Sequence, residues 1–266
     1  MSTATALSLI PANQFIALDP TNARMVAIKE NLAASGESMG PGDLVRVKTP
    51  SGGGTSWTIP TLSGEETVPS LKGVMVFYKT AGVLWSSFDP QVGEPPVLRT
   101  FDLQVAEAVG KIPDDMLDVL NRFRLSGNPD DIGYNLFDWP NLPYNQWGTG
   151  KDGLGKRCKE QRMIGLLREN DPFPMLLTVQ PGSLKLMTGF IKKLAFQCPY
   201  WQAIVELSLQ KQTSKGGKPF SQIVPKLVGQ LSHEDGLRVK REYTDVMEKM
   251  VKRIDLSADG GDATDE

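Results

Sequence analysis

Apolar positions along the chain change period several times, and each change marks an element. Met25, Ile28 and Leu32 recur at helical spacing across 22–34 and are followed by Gly36, so a helix is predicted there. The texture then turns to short β segments at 44–48 and 56–59 around the glycine turn Pro50-Ser-Gly-Gly-Gly-Thr55. Gly73-Val-Met-Val-Phe-Tyr-Lys79 reads as a strong strand, Thr80-Ala-Gly82 as a turn, and Val83-Leu-Trp85 as a strand pairing back. This is a predicted meander of four segments. A short helix is expected over 114–123, an element of open type over 158–168, and a strand over 174–179. A helix then starts at Pro181, with Leu184, Met187, Ile191 and Leu194 on one face, and stops before Pro199.

The clearest hairpin follows. Ala203, Val205, Leu207 and Leu209 alternate on one face of a strand, a turn spans 213–219, and 220–231 returns with Pro225 marking an edge or bulge. A last helix, 233–254, carries the stripe Tyr243, Val246, Met247, Met250, Val251 and Ile254. Short strands, hairpins and isolated helices predict an α+β fold with an antiparallel, barrel-like core resembling an OB-fold and flanked by helices. The expected division is an arm and helix over 1–40, one domain over 41–232, the terminal helix over 233–254, and an acidic disordered tail over 255–266.

Composition narrows the chemistry. The 266 residues carry a formal net charge of −2, but the tail holds five acids (Asp255, Asp259, Asp262, Asp265, Glu266) and no base, so the body is +3. Two cysteines and one histidine, His233, cannot supply four Cys/His ligands to zinc. His233 lies in Leu231-Ser-His-Glu-Asp-Gly236, a helix start, where capping or a surface role outweighs a catalytic triad. Few cysteines and no signal-like or membrane-spanning run lead to an expected cytoplasmic protein with no membrane partner. No cofactor is expected.

Gly150-Lys-Asp-Gly-Leu-Gly-Lys-Arg157 nearly matches the nucleotide-binding pattern G-x-x-x-x-G-K-[ST]. Arg157 stands where the hydroxyl must be, and the preceding 141–149 is too rich in Asn, Pro and Gly for the buried strand the motif needs. What remains is basic. From Lys151 to Arg168 there are six bases and two acids, directly after five aromatics in fourteen residues (Tyr134, Phe137, Trp139, Tyr144, Trp147). Rings beside cations suit single-stranded nucleic acid, whose bases stack and whose phosphates pair with Lys and Arg. The candidate contacts are Trp139, Tyr144, Trp147, Lys151, Lys156, Arg157, Lys159 and Arg162, together with Lys211, Lys215, Lys218 and Phe220 on the predicted hairpin. Trp57, Tyr78 and Trp85 are further rings, read as core. The competing reading is that the aromatics pin a loop and the bases are a solvated face.

Several segments in order resemble a family. They are Pro50-Ser-Gly-Gly-Gly-Thr-Ser-Trp57, Leu71-Lys-Gly-Val-Met-Val-Phe77 with Trp85, Gly153-Leu-Gly-Lys-Arg-Cys-Lys159, Leu166-Leu-Arg168, Pro174-Met-Leu-Leu-Thr178, Pro181-Gly-Ser-Leu184 and Phe220-Ser-Gln222. Over about residues 40–230 this set resembles single-stranded-DNA-binding proteins of phages and mobile elements. The resemblance implies a non-enzymatic accessory of replication or recombination with an OB-like core. The acidic tail is then expected to regulate binding or to recruit replication or recombination proteins, although it ends Asp265-Glu266 without an apolar tip. The terminal helix is a candidate homo-oligomer seam. Two alternatives come from other classes: a Mg²⁺-dependent nuclease using Asp130, Asp131 and Asp138, and a virion structural or scaffolding protein.

Overall fold

The computed structural model describes residues 8–19, 21–36, 44–61, 63–91, 93–214 and 217–250, with side chains through 248. The expected acidic tail, Lys215, and the stripe positions Val251 and Ile254 lie outside the described residues, as does the Met250 side chain.

Among the described residues the fold is α+β, with a mixed nine-stranded sheet, a separate two-stranded sheet and four α-helical segments. Helix α1 (Ala23–Ser35) starts where Asn22 accepts the N–H groups of Arg24 and Met25, and ends at Gly36 in the left-handed region. The two-stranded sheet is β2 (Trp57–Thr61) with β3 (Gly64–Val68). Strand β3 is too rich in Glu and Thr for a hydrophobic pattern to reveal it, and its segment reads as a loop by pattern alone.

The central element is β4 (Ser70–Leu84), fifteen residues long. The predicted turn at Thr80-Ala-Gly82 does not occur. Gly82 lies inside the strand because the Trp139 ring crosses it: a Cβ there would come within 2.5 Å of Trp139 Cζ2. Along one edge, β4 pairs with β8 (Lys159–Leu167) from Val74 to Val83, with a bulge at Val76. Its other edge is shared. Ser70–Val74 pair with β10 (Ala203–Thr213), and Gly82–Leu84 pair with β5 (Leu98–Thr100). Beyond β5 come β6 (Val105–Ala108) and β7 (Leu136–Asp138); beyond β8 come β9 (Met175–Val179) and then β1 (Arg46–Val47). The β1–β9 pair is parallel, so the sheet is mixed rather than purely antiparallel, and no closed barrel forms among the described residues. Strand β11 (Pro219–Gln230) pairs only with β10 within the sheet.

Helix α3 (Pro181–Leu194) connects β9 to β10 and packs on β11. Met187 and Leu194 enter a core with Ile164, Leu177, Val205 and Leu207. The predicted faces of α3 and of β10 are therefore the buried ones. On the opposite face of β4–β8, Val76, Val83 and Met163 pack under an arm containing Phe15 and Leu18 and under the terminal helix. That helix runs from α4 (His233–Val239) through a π turn (Lys240–Thr244) into α5 (Asp245–Met250). Tyr243 and Met247, read as an oligomer seam, lie against this core, and Tyr243 donates to Ala17 O at 3.0 Å. A third core joins Leu84, Leu98, Ala106, Phe137 and Trp139 to Met116 and Leu120 of α2 (Asp114–Asn121).

Gly82→Ala forces a methyl against an immobile indole and should cost about 1–3 kcal/mol. Gly110→Ala opens onto free space and should stay within about 0.5 kcal/mol. Urea unfolding of both variants reads the difference.

Candidate nucleic-acid interface

The segment 143–157 is a self-closed loop rather than a phosphate cradle at a helix start. Gly148 and Gly150 N–H both donate to Gly155 O, at 2.7 and 3.3 Å. A Cβ on Gly150 would collide with Leu154 O. Its helical pieces are two 3-10 turns, Pro143–Asn145 and Lys151–Gly153, each too short for an N-terminal row of N–H groups to face a ligand.

The rings named from sequence divide. Trp139 is 1% exposed and fills the third core, whereas Trp147 is 74% exposed. Trp139 is thus a packing residue and cannot stack on a base. Tyr144 is half-buried and packs beside that core. Arg157 is also held within the fold. Its guanidinium stands 4.6 Å from the Phe88 ring centroid and 5.1 Å from that of Tyr144, and Nη2 donates to Ser86 O at 2.5 Å. It clamps the loop to residues 86–89, where Lys151 also pairs with Asp89 at 2.6 Å. Burial raises the Tyr144 hydroxyl pKa above its ordinary value, with the Arg157 charge opposing.

Strand alternation separates Lys159 from Arg162. Arg162 shares the face of Ile164 and Glu160, toward the α3 side; Lys159 shares the face of Met163, and burial lowers its pKa. Arg162 approaches Glu160 at 3.9 Å, and Lys156 meets the other Glu160 oxygen at 3.5 Å and Asn145 Oδ1 at 3.3 Å. Tyr78, two positions along β4 from the Arg162–Thr80 pair, is the hydrogen-bond partner of Arg162; burial raises its pKa.

The hairpin group assembles elsewhere along the same route. Arg162 pairs with Val179, the last residue of β9, and α3 starts two residues later. Gly182 then packs under Phe220, whose ring would lie 2.6 Å from a Cβ there, while Gln222 donates to Gly182 O. Ser183 Oγ accepts the Ile223 N–H at 2.8 Å. Phe220 is therefore partly a packing residue. The Lys211 stem covers Gly53, and Ser221 Oγ bonds Gly54 O, so the triple-glycine turn supports the hairpin. Lys218 is exposed at the tip.

Phe88, Asn145 and Glu160 belong to this region although sequence patterns do not single them out; Tyr78, a ring read as core, is half-buried and joins them. Trp57 and Trp85 are core or half-buried, as expected; the Trp57 indole donates to Leu207 O at 2.8 Å. Of the carboxylates considered for metal, Asp131 accepts Gly133 N–H and Asp138 accepts from Asn141. No cluster of three His, Cys, Asp or Glu able to hold a metal occurs among the described residues. No helix there is long and apolar enough to cross a membrane. No protein-family model, curated protein or solved structure matches the chain.

Trp139→Ala should lose about 3–5 kcal/mol of stability, while Trp147→Ala should change it by less than about 0.5 kcal/mol. Thermal or urea melts of the two variants measure this directly.

Proposed function

We propose that the protein is a non-enzymatic single-stranded-DNA-binding protein of a phage or mobile element, serving replication or recombination. One observation carries the reading: the strand order β9-β8-β4-β10-β11, with α3 between β9 and β10. This is the succession of an OB core, which is partly open and binds oligonucleotides through the face of its second and third strands and the loops joining strands 1–2 and 4–5. Here the first of those loops corresponds to residues 85–158, which carry Trp147, Lys151 and Lys156. The second is the β10–β11 hairpin, with Lys211 and Lys218. Trp147, Lys151 and Lys156 on the first connection, with Lys211 and Lys218 at the second, support this reading.

In this reading Trp147 stacks on a base, Lys156, Arg162, Lys211 and Lys218 meet phosphates, and Trp139, Arg157 and Phe220 hold the loops. The ordered motifs over 40–230 support the phage or mobile-element setting, and the five tail acids supply an anionic segment suited to basic partners or to the protein's own groove.

Fluorescence anisotropy with oligo-dT, the matching RNA and a duplex at several salt concentrations tests the reading. Oligo-dT should bind with little duplex affinity, Trp147→Ala should cost about 1–3 kcal/mol, and each lysine-to-alanine change at a phosphate contact should lower the salt slope by about 0.7. Absence of oligo-dT affinity at low salt, or equal duplex affinity, would overturn it.

A further inference from the structure

Glu160 sits between two cations of the proposed interface. Its Oε1 faces Lys156 Nζ at 3.5 Å and its Oε2 faces Arg162 Nη1 at 3.9 Å. Each carboxylate oxygen thus serves one cation, as the two non-bridging oxygens of a phosphodiester do. The three side chains differ in freedom. Those of Lys156 and Glu160 are 35% and 29% exposed, whereas that of Arg162 is 14% exposed and tied to Tyr78 and to Gln161 O. Arg162 is the firmly held cation, Lys156 is tied to Asn145, and both Lys156 and the Glu160 carboxylate reach solvent. Both distances are longer than those of tight charge-assisted hydrogen bonds, so little holds the carboxylate in place.

We infer that Lys156 and Arg162 form one phosphodiester subsite, which Glu160 occupies in the absence of nucleic acid and leaves when a strand binds. The inference rests on the single-strand-binding reading. Glu160 is a positioning residue: it draws the two cations toward one anion, and it sets a threshold that a weakly held anion does not pass. No bond is made or broken; one anion replaces another on the same pair of cations.

Glu160→Gln keeps shape and removes the competing charge. At low salt it should tighten oligo-dT binding by roughly two- to fivefold, the range expected for one half-exposed ion pair. In a Lys156→Ala background the gain should fall to less than half, because the site has lost a cation. A gain of equal size in both backgrounds makes Glu160 merely one more negative charge and overturns the inference, as does no gain. In the wild-type protein, the ¹³C resonance of the Glu160 carboxyl should shift when oligo-dT is added, and an unchanged resonance at saturation overturns the exchange even if the variant folds poorly. If neither wild type nor variant binds oligo-dT, the underlying reading falls too; if the wild type binds and Glu160→Gln changes nothing, only the subsite does.

Discussion

One strand has to serve three partners. Strand β4 pairs with β8 along one edge and offers the other to β10 at its start and β5 at its end. Between those two the ladder on that edge is interrupted, and Val76, the bulge residue of the β8 edge, lies in the gap. There the terminal helix finishes the backbone: Thr244 Oγ1, fully inside the protein, donates to Val76 O at 2.6 Å. A buried carbonyl without a donor costs about 1–3 kcal/mol, so helix and bulge are coupled. The hand-over from β5 to β10 along β4 lets one sheet carry both the α3-side core and the 85–158 connection.

The same economy governs the backbone at β10. Pro225 stands opposite Leu207 and has no N–H to give, and Leu207 O instead accepts the Trp57 indole. That bond anchors the β2–β3 sheet on the hairpin whose tip carries Lys218. Ser221 and the Lys211 stem hold the triple-glycine turn against the same hairpin. The basic tip therefore rests on a rigid base rather than on an isolated ribbon.

Local periodicity made much of this legible. The amphipathic faces of α3 and β10, the Asn22 start and Gly36 stop of α1, and the 203–231 hairpin follow from residues within one turn or two of each other. Long-range demands were not legible. Gly82 looks like a turn residue because its true reason, the Trp139 ring, lies 57 positions away. Strand β8 hides its period because both its faces are covered from Met163 onward. The parallel β1–β9 contact leaves no local mark at all. In the candidate site, Trp139 and Trp147 are the same residue type eight positions apart with opposite fates. The spacing of Phe137 and Trp139 at i and i+2 was the available sign that Trp139 continues the buried face of β7. Arg157 gave no such sign, since stacking between Phe88 and Tyr144 requires the fold.

The central claim is that residues 143–162 and the β10–β11 hairpin form the two walls of one single-strand site. Amide hydrogen exchange with and without saturating oligo-dT tests it most directly. The account predicts slower exchange in both segments together, with α1 unchanged. Protection confined to one of them, or spread over α1 and not over either wall, would contradict it.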